Sequence, residues 1–121
     1  MPYEQHRSIV WQLVMDLMRA RHKSVLNKGR PLGPDIMLLF VLASVAATAN
    51  NGLPANASKI AFYLEMPRET VRRRLQELVE LGLVEREGDS YRQIARLTEL
   101  QIKHVTKLIR DAAAALAQIG Q

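Results

Sequence analysis

Arg72, Arg73 and Arg74 are consecutive in the stretch ETVRRRLQELVELGLVER, and they carry the most evident chemistry in this 121-residue chain. A guanidinium is a planar fork of N–H donors that stays charged at any physiological pH, so it suits phosphates, carboxylates and the paired acceptors on a guanine edge. Other chemistries lack their parts. The chain has no cysteine, which excludes disulfides, thiol nucleophiles and thiolate metal sites and suits a reducing cytoplasm. His6, His22 and His104 lie far apart with no ligand-like spacing, so no metal is expected. Ser58 and Ser90 have no identifiable catalytic partner, and no paired carboxylates or phosphate-binding glycine loop appear. Neither an enzyme nor a cofactor is therefore expected.

A helix must position the arginines. At about 100° per residue, a helix over 68–81 gathers Val71, Leu75 and Leu78 on one side, with Val79 at its edge. Glu69, Arg73, Gln76 and Glu80 fall opposite, Thr70 and Arg72 lie on the flanks, and Arg74 turns back toward the core rim. Arg72 and Arg73 are therefore the better candidates for base contacts, whereas Arg74 is expected to snorkel or to bind phosphate. Glu69 can pair with Arg73 one turn away, or accept a hydrogen bond from a cytosine amino group. Net charge alone does not carry this reading. From Ala57 to Arg96, eight basic residues (Lys59, Arg68, Arg72, Arg73, Arg74, Arg86, Arg92, Arg96) meet seven acidic ones (Glu65, Glu69, Glu77, Glu80, Glu85, Glu87, Asp89). Segregation matters more: the arginines and Thr70 occupy the amino-terminal half of the helix, and Glu77 and Glu80 its last turns. A solvated face laced with ion pairs would fit the same charges.

The flanking residues decide between the two readings. Upstream, Asn56 or Ser58 can cap a first helix whose inner face is Ile60, Ala61 and Leu64. Ala61 is small enough to admit a crossing helix, with Val71 returning the contact. The turn YLEMPRET follows, with Met66 able to plug the corner and Pro67 suited to a helix start. Downstream, Gly82 ends the second helix, LVERE and SYRQI alternate like strands, and Gly88-Asp89 supplies a short hairpin turn. Arg86 and Arg92 flank the hairpin tip, where they would reach DNA backbone or minor groove, or would simply be exposed strand residues. Helix-turn-helix 57–81 with wing 83–94 makes a winged helix-turn-helix. Its candidate DNA-binding residues are Ser58, Lys59, Arg68, Glu69, Thr70, Arg72, Arg73, Arg74, Gln76, Arg86 and Arg92.

The remaining chain reads as support. An amphipathic helix is expected over 3–22, with Ile9, Val10, Leu13, Val14, Leu17 and Met18 as its stripe; Trp11 and Met15 widen it beyond one core contact. RARHKSVLNKGRPLGP follows as a basic connector in which Gly29, Pro31, Gly33 and Pro34 break any helix, and it is read as a solvated loop in preference to one that touches phosphates at the edge of a DNA site. A core helix, apolar nearly all round, is expected over 34–49; Pro34 and Asp35 sit in its first turn and Asn50, Asn51 and Gly52 end it. Its apolar run, Ile36 to Ala49, is shorter than the roughly 20 residues needed to span a bilayer, so no membrane role is expected. A last helix over 98–119 opens on Thr98 and Gln101 at capping-box spacing, with Leu97 placed to staple onto Ile102. Its seam is Ile102, Val105, Ile109, Ala112, Leu116 and Ile119, at heptad-like steps. The opening MPYEQHRS lacks a basic-then-apolar leader, so no export signal is expected. Seventeen basic against twelve acidic residues give +5 overall, which favours a polyanionic partner and equally serves plain solubility.

ETVRRRLQELVELGLVER resembles the recognition helix and following strand of bacterial winged-helix regulators. The element order is similar to that of the multiple-antibiotic-resistance regulator (MarR) family, although Glu65 stands where such turns often carry glycine and the wing is shorter than usual there. The fold class expected is mainly α with a small β-hairpin, a winged helix-turn-helix in one domain flanked by N- and C-terminal dimerisation helices. The resemblance implies a cytoplasmic transcriptional regulator that binds double-stranded DNA as a homodimer. It leaves room for a small-molecule effector that no residue marks. The rival reading is a winged helix that docks proteins without reading DNA.

Overall fold

The computed structural model describes residues 3–26, 29–50, 52–94 and 98–119. The elements run α1 (Glu4–Val25), α2 (Leu32–Asn50), α3 (Ala57–Leu64), α4 (Arg68–Glu80), β1 (Val84–Glu87), β2 (Ser90–Gln93) and α5 (Glu99–Ile119). The fold is thus mainly helical with one antiparallel hairpin, a winged helix-turn-helix in order and type of element. Two compact units are present: Met1–Lys28 with Leu97–Gln121, and Gly29–Arg96.

The second unit is built around α2, which packs on α3, α4 and β2. Leu38, Leu39, Val41, Leu42 and Val45 of α2 are buried, as are Ile60 and Ala61 of α3, Val71, Leu75 and Leu78 of α4, and Leu83 and Val84 at the start of the wing. Each large apolar side chain so buried stabilises the fold by about 1.5–3 kcal/mol. The core helix is less enclosed than its composition suggests. Met37, Phe40, Ala43 and Ala47 are exposed, a stripe at helical spacing on one side of α2. Because α2 begins at Leu32, its apolar window Leu32–Ala49 spans 18 residues at a mean hydropathy of 1.8, enough by length and composition to cross a membrane. That corrects the shorter run read from the sequence; its buried side chains, however, pack in the core of this unit. At the start of α2, Arg30 clamps the buried Asp35 with two hydrogen bonds, Nη2 to Oδ1 at 2.8 Å and Nε to Oδ2 at 3.0 Å.

Three helices of this unit end alike. After α2, the N–H groups of Gly52 and Leu53 donate to the carbonyls of Ala49 and Thr48; after α4, those of Gly82 and Leu83 donate to Val79 and Leu78. Both patterns need a left-handed residue, and Gly52 (φ 73°) and Gly82 (φ 76°) supply it without a Cβ penalty. After α3 the same pair of bonds runs from Glu65 to Phe62 and from Met66 to Ala61. Here a glutamate takes the left-handed position, at φ 54° and ψ 47°.

The first unit pairs α1 with α5. Ile9, Leu13, Leu17 and Met18 are half-buried, whereas Val10, Trp11, Val14 and Met15 are exposed. On α5, Val105, Ala112, Leu116 and Ile119 of the expected seam are half-buried, but Ile102 and Ile109 are 50% and 48% exposed, so one edge of the seam faces solvent. The α5 start is as expected: the Thr98 N–H donates to Gln101 Oε1 at 2.8 Å and the Gln101 N–H to Thr98 Oγ1 at 3.2 Å. The Leu97 staple lies outside the described residues, as do Asn51 and, in the connector, Asn27 and Lys28. The connector itself needs correction. α1 continues to Val25, so Arg19, Arg21 and Lys23 are helical. Between Glu4 and Lys28 the sequence has no glycine or proline to stop the helix sooner, and at the other end of the connector Gly33 and Pro34 lie within α2.

Candidate nucleic-acid interface

The helix pair is set by local bonds. Asn56, in extended conformation, caps α3 by accepting the Lys59 N–H at 2.8 Å, so of the two candidates Asn56 is the cap and Ser58 stands exposed in the first turn. Glu65 and Met66 turn the chain, and Pro67 precedes α4 as its N-cap residue. Ala61 and Val71 are both buried where α3 and α4 pack.

Anchored by Val71, Leu75 and Leu78, α4 exposes Arg68, Glu69, Arg72, Arg73 and Gln76, with Thr70 half-buried. The three arginines differ. Arg73 is exposed, with Nε 4.0 Å from Glu69 Oε1, the expected one-turn pairing. Arg74 lies at the core rim: Nη1 meets Glu77 Oε1 at 2.9 Å and Nε is buried without a hydrogen bond. Arg72 faces a cleft.

In the hairpin Val84 pairs with Gln93, Glu85 with Arg92, Arg86 with Tyr91 and Glu87 with Ser90. Arg86 and Tyr91 thus share one face, with the guanidinium 5.9 Å from the ring centroid, and Arg86 Nε donates to the Gly88 carbonyl at 2.8 Å. A cation at that distance is attracted by the ring, which orders it at little cost in solvation. Arg92 lies on the other face and is paired with both Glu85 and Glu87. The two wing arginines, equivalent in sequence, are therefore unlike: two carboxylates answer Arg92, while Arg86 stacks on an aromatic ring. The hairpin is also fastened upstream, since the Tyr91 N–H donates to the Ala55 carbonyl at 2.7 Å in an isolated antiparallel bridge.

These elements converge on an open cleft of ≈ 440 Å³. Ser58 comes from α3, Arg68, Arg72 and Gln76 from α4, and Arg86 and Tyr91 from the wing, with Asp89 the one carboxylate in its lining. Five candidates from the sequence thus share one concave surface. Lys59, Glu69, Thr70, Arg73, Arg74 and Arg92 do not line it. Sequence reasoning missed Asn56 and Tyr91 as lining residues. The hairpin register would have found Tyr91, because a two-residue turn at Gly88-Asp89 places it opposite Arg86.

A helix-turn-helix followed by a wing, with arginines on the outer face of its second helix, defines a DNA-binding domain of the kind carried by transcriptional regulators. Residues 41–88, from the second half of α2 to the hairpin tip, match the IclR helix-turn-helix domain. That is a different family from the one the element order resembles. No curated protein and no solved structure matches the chain.

Proposed function

We propose that the chain is a sequence-specific regulator of transcription, with α4 in the DNA major groove and the β1–β2 hairpin as its wing. The cleft carries this reading: it brings Arg68, Arg72, Gln76 and Arg86 from two separate elements onto one surface. In the docking geometry of such motifs, the amino-terminal half of the second helix reaches base edges and flanking cations take phosphates. Arg72 and Arg73 would read bases, Arg68, Lys59 and Ser58 would hold backbone, and Arg86 would reach phosphate or minor groove. Arg74, half-buried and paired with Glu77, is assigned a supporting role at the helix rim.

The working form is a homodimer in the cytoplasm, with half-sites about 34–36 Å apart, one turn of DNA. Support comes from the exposed apolar side chains of the first unit: Val10, Trp11, Val14 and Met15 on α1, and Ile102 and Ile109 on α5. A two-fold axis would pair such faces with themselves. The element order is MarR-like, while the matched segment is IclR-like.

Selection of bound sequences from a random DNA pool, at fixed salt, tests the reading. A recovered two-fold motif is the expected result. Arg72→Ala and Arg73→Ala should each lose about 1–3 kcal/mol of discrimination at one position of that motif while non-specific binding falls only modestly. If neither variant alters discrimination, α4 is not the reading helix. Affinity that does not respond to salt would favour protein docking instead, because each neutralised phosphate contributes a slope of about −0.9 in log K against log salt.

A further inference from the structure

Within the first unit, the last turns of α1 and the first turns of α5 border a groove of ≈ 510 Å³. This is within the roughly 300–1,000 Å³ of small-molecule sites. Its surface is mainly hydrocarbon, contributed by Ala20, Leu100 and Val105 and by the stems of longer side chains. The charges along it are all of one sign. Among the described residues Arg21, Lys103 and Lys107 line it, and no carboxylate does.

The three cations are not equivalent. Lys103 has Glu99 at 3.4 Å and Lys107 has Asp111 at 2.9 Å, each one turn along the exposed surface of α5. Arg21 is half-buried, and its Nη1 is hidden from solvent without a hydrogen bond. Burial also pushes its pKa below the ordinary arginine value. A guanidinium taken partly out of water without an acceptor is left with an uncompensated cost, and a carboxylate offers the two-oxygen geometry that answers it.

We propose that this groove is a binding site for an amphipathic organic monocarboxylate, its carboxylate on Arg21 and its hydrocarbon body over Leu100 and Val105. The charge pattern selects an anion, and the apolar floor selects one with a tail. A small inorganic anion would leave the floor in water, and a neutral hydrocarbon would leave Arg21 unanswered. The site is independent of whether the second unit reads DNA.

Calorimetric titration of the full chain with octanoate, and with octanamide as its neutral match, tests the proposal. Octanoate should bind saturably, one per chain, and octanamide at least about tenfold more weakly. Arg21→Gln should weaken octanoate by a similar factor, and Arg21→Lys should recover part of the loss. Leu100→Gln changes a side chain that is 78% exposed, so the fold should tolerate it, and it should weaken octanoate even if Arg21→Gln fails to fold. Equal binding of octanoate and octanamide, or unaltered octanoate binding by both Arg21→Gln and Leu100→Gln, would overturn the proposal. So would an absence of octanoate binding at millimolar concentration. Should Arg21→Gln instead dissociate an oligomer that octanoate leaves untouched, the groove belongs to a second copy of the chain and the proposal fails.

Discussion

At the scale of single residues, the surroundings of a charge matter more than its presence. Arg86 and Arg92 flank the same hairpin tip, yet Arg92 is paired with Glu85 and Glu87 while Arg86 stacks on Tyr91 beside the cleft. Arg86→Ala should therefore weaken DNA binding uniformly across sequences and reduce the salt slope by about 0.9, the share of one phosphate. Arg92→Ala should change either quantity far less. Fluorescence anisotropy at several salt concentrations separates the two. Glu65 gives a prediction of opposite sign. It is the one non-glycine with positive φ among the described residues. The left-handed conformation costs an ordinary residue about 1–2 kcal/mol, and glycine loses part of that advantage through its freer unfolded state. Glu65→Gly should stabilise the protein by about 0.5–1 kcal/mol, measured by urea unfolding, with the helix pair unchanged.

At the scale of elements, local bonds fix where helices begin and where they cross. Thr98→Ala removes one half of the reciprocal cap on α5 and should cost about 1 kcal/mol. Ala61→Leu forces a large side chain into the packed crossing of α3 and α4 and should cost about 1–3 kcal/mol by thermal unfolding. Both features were legible in the sequence because each depends on few residues close in the chain: a threonine three before a glutamine, and an alanine on an apolar face. The inner face of α4 and the placement of Arg74 followed from helical periodicity alone. What the sequence hid is non-local or runs against propensity. The bridge from Ala55 to Tyr91 joins residues separated by two helices, and no short-range pattern announces it. Glu65 was legible as the residue in a place where such turns often carry glycine, but that a glutamate itself takes the left-handed conformation there runs against its preference and is seen only in the packed fold. The opposed environments of Arg86 and Arg92 depend on the hairpin register rather than on residue type. The full length of α1 was missed because basic residues suggested a loop, although none of them breaks a helix.

At the scale of the whole molecule, the second unit is one continuous stretch, Gly29–Arg96, whereas the first unit needs both ends of the chain. A fragment of residues 29–96 should fold by itself, giving cooperative thermal unfolding with helical circular dichroism. The two terminal segments expressed separately should be unstructured until mixed. Trp11→Glu with Ile109→Glu, both at exposed positions, should yield a folded monomer in sedimentation and weaken binding to a two-site operator more than to a single half-site. The split also gives the chain a timetable. During synthesis α1 is made before the second unit, and its partner α5 follows only after the whole of that unit has been made. At about 5–20 residues per second that interval is on the order of 4–15 s. Throughout it, α1 shows solvent not only Trp11 and Val14 but also Ile9, Leu13 and Leu17, which α5 has not yet arrived to cover. The nascent chain therefore passes through a stage in which this segment uncovers more apolar side chains than the finished protein does, and a chaperone that holds short apolar segments would have its opportunity there.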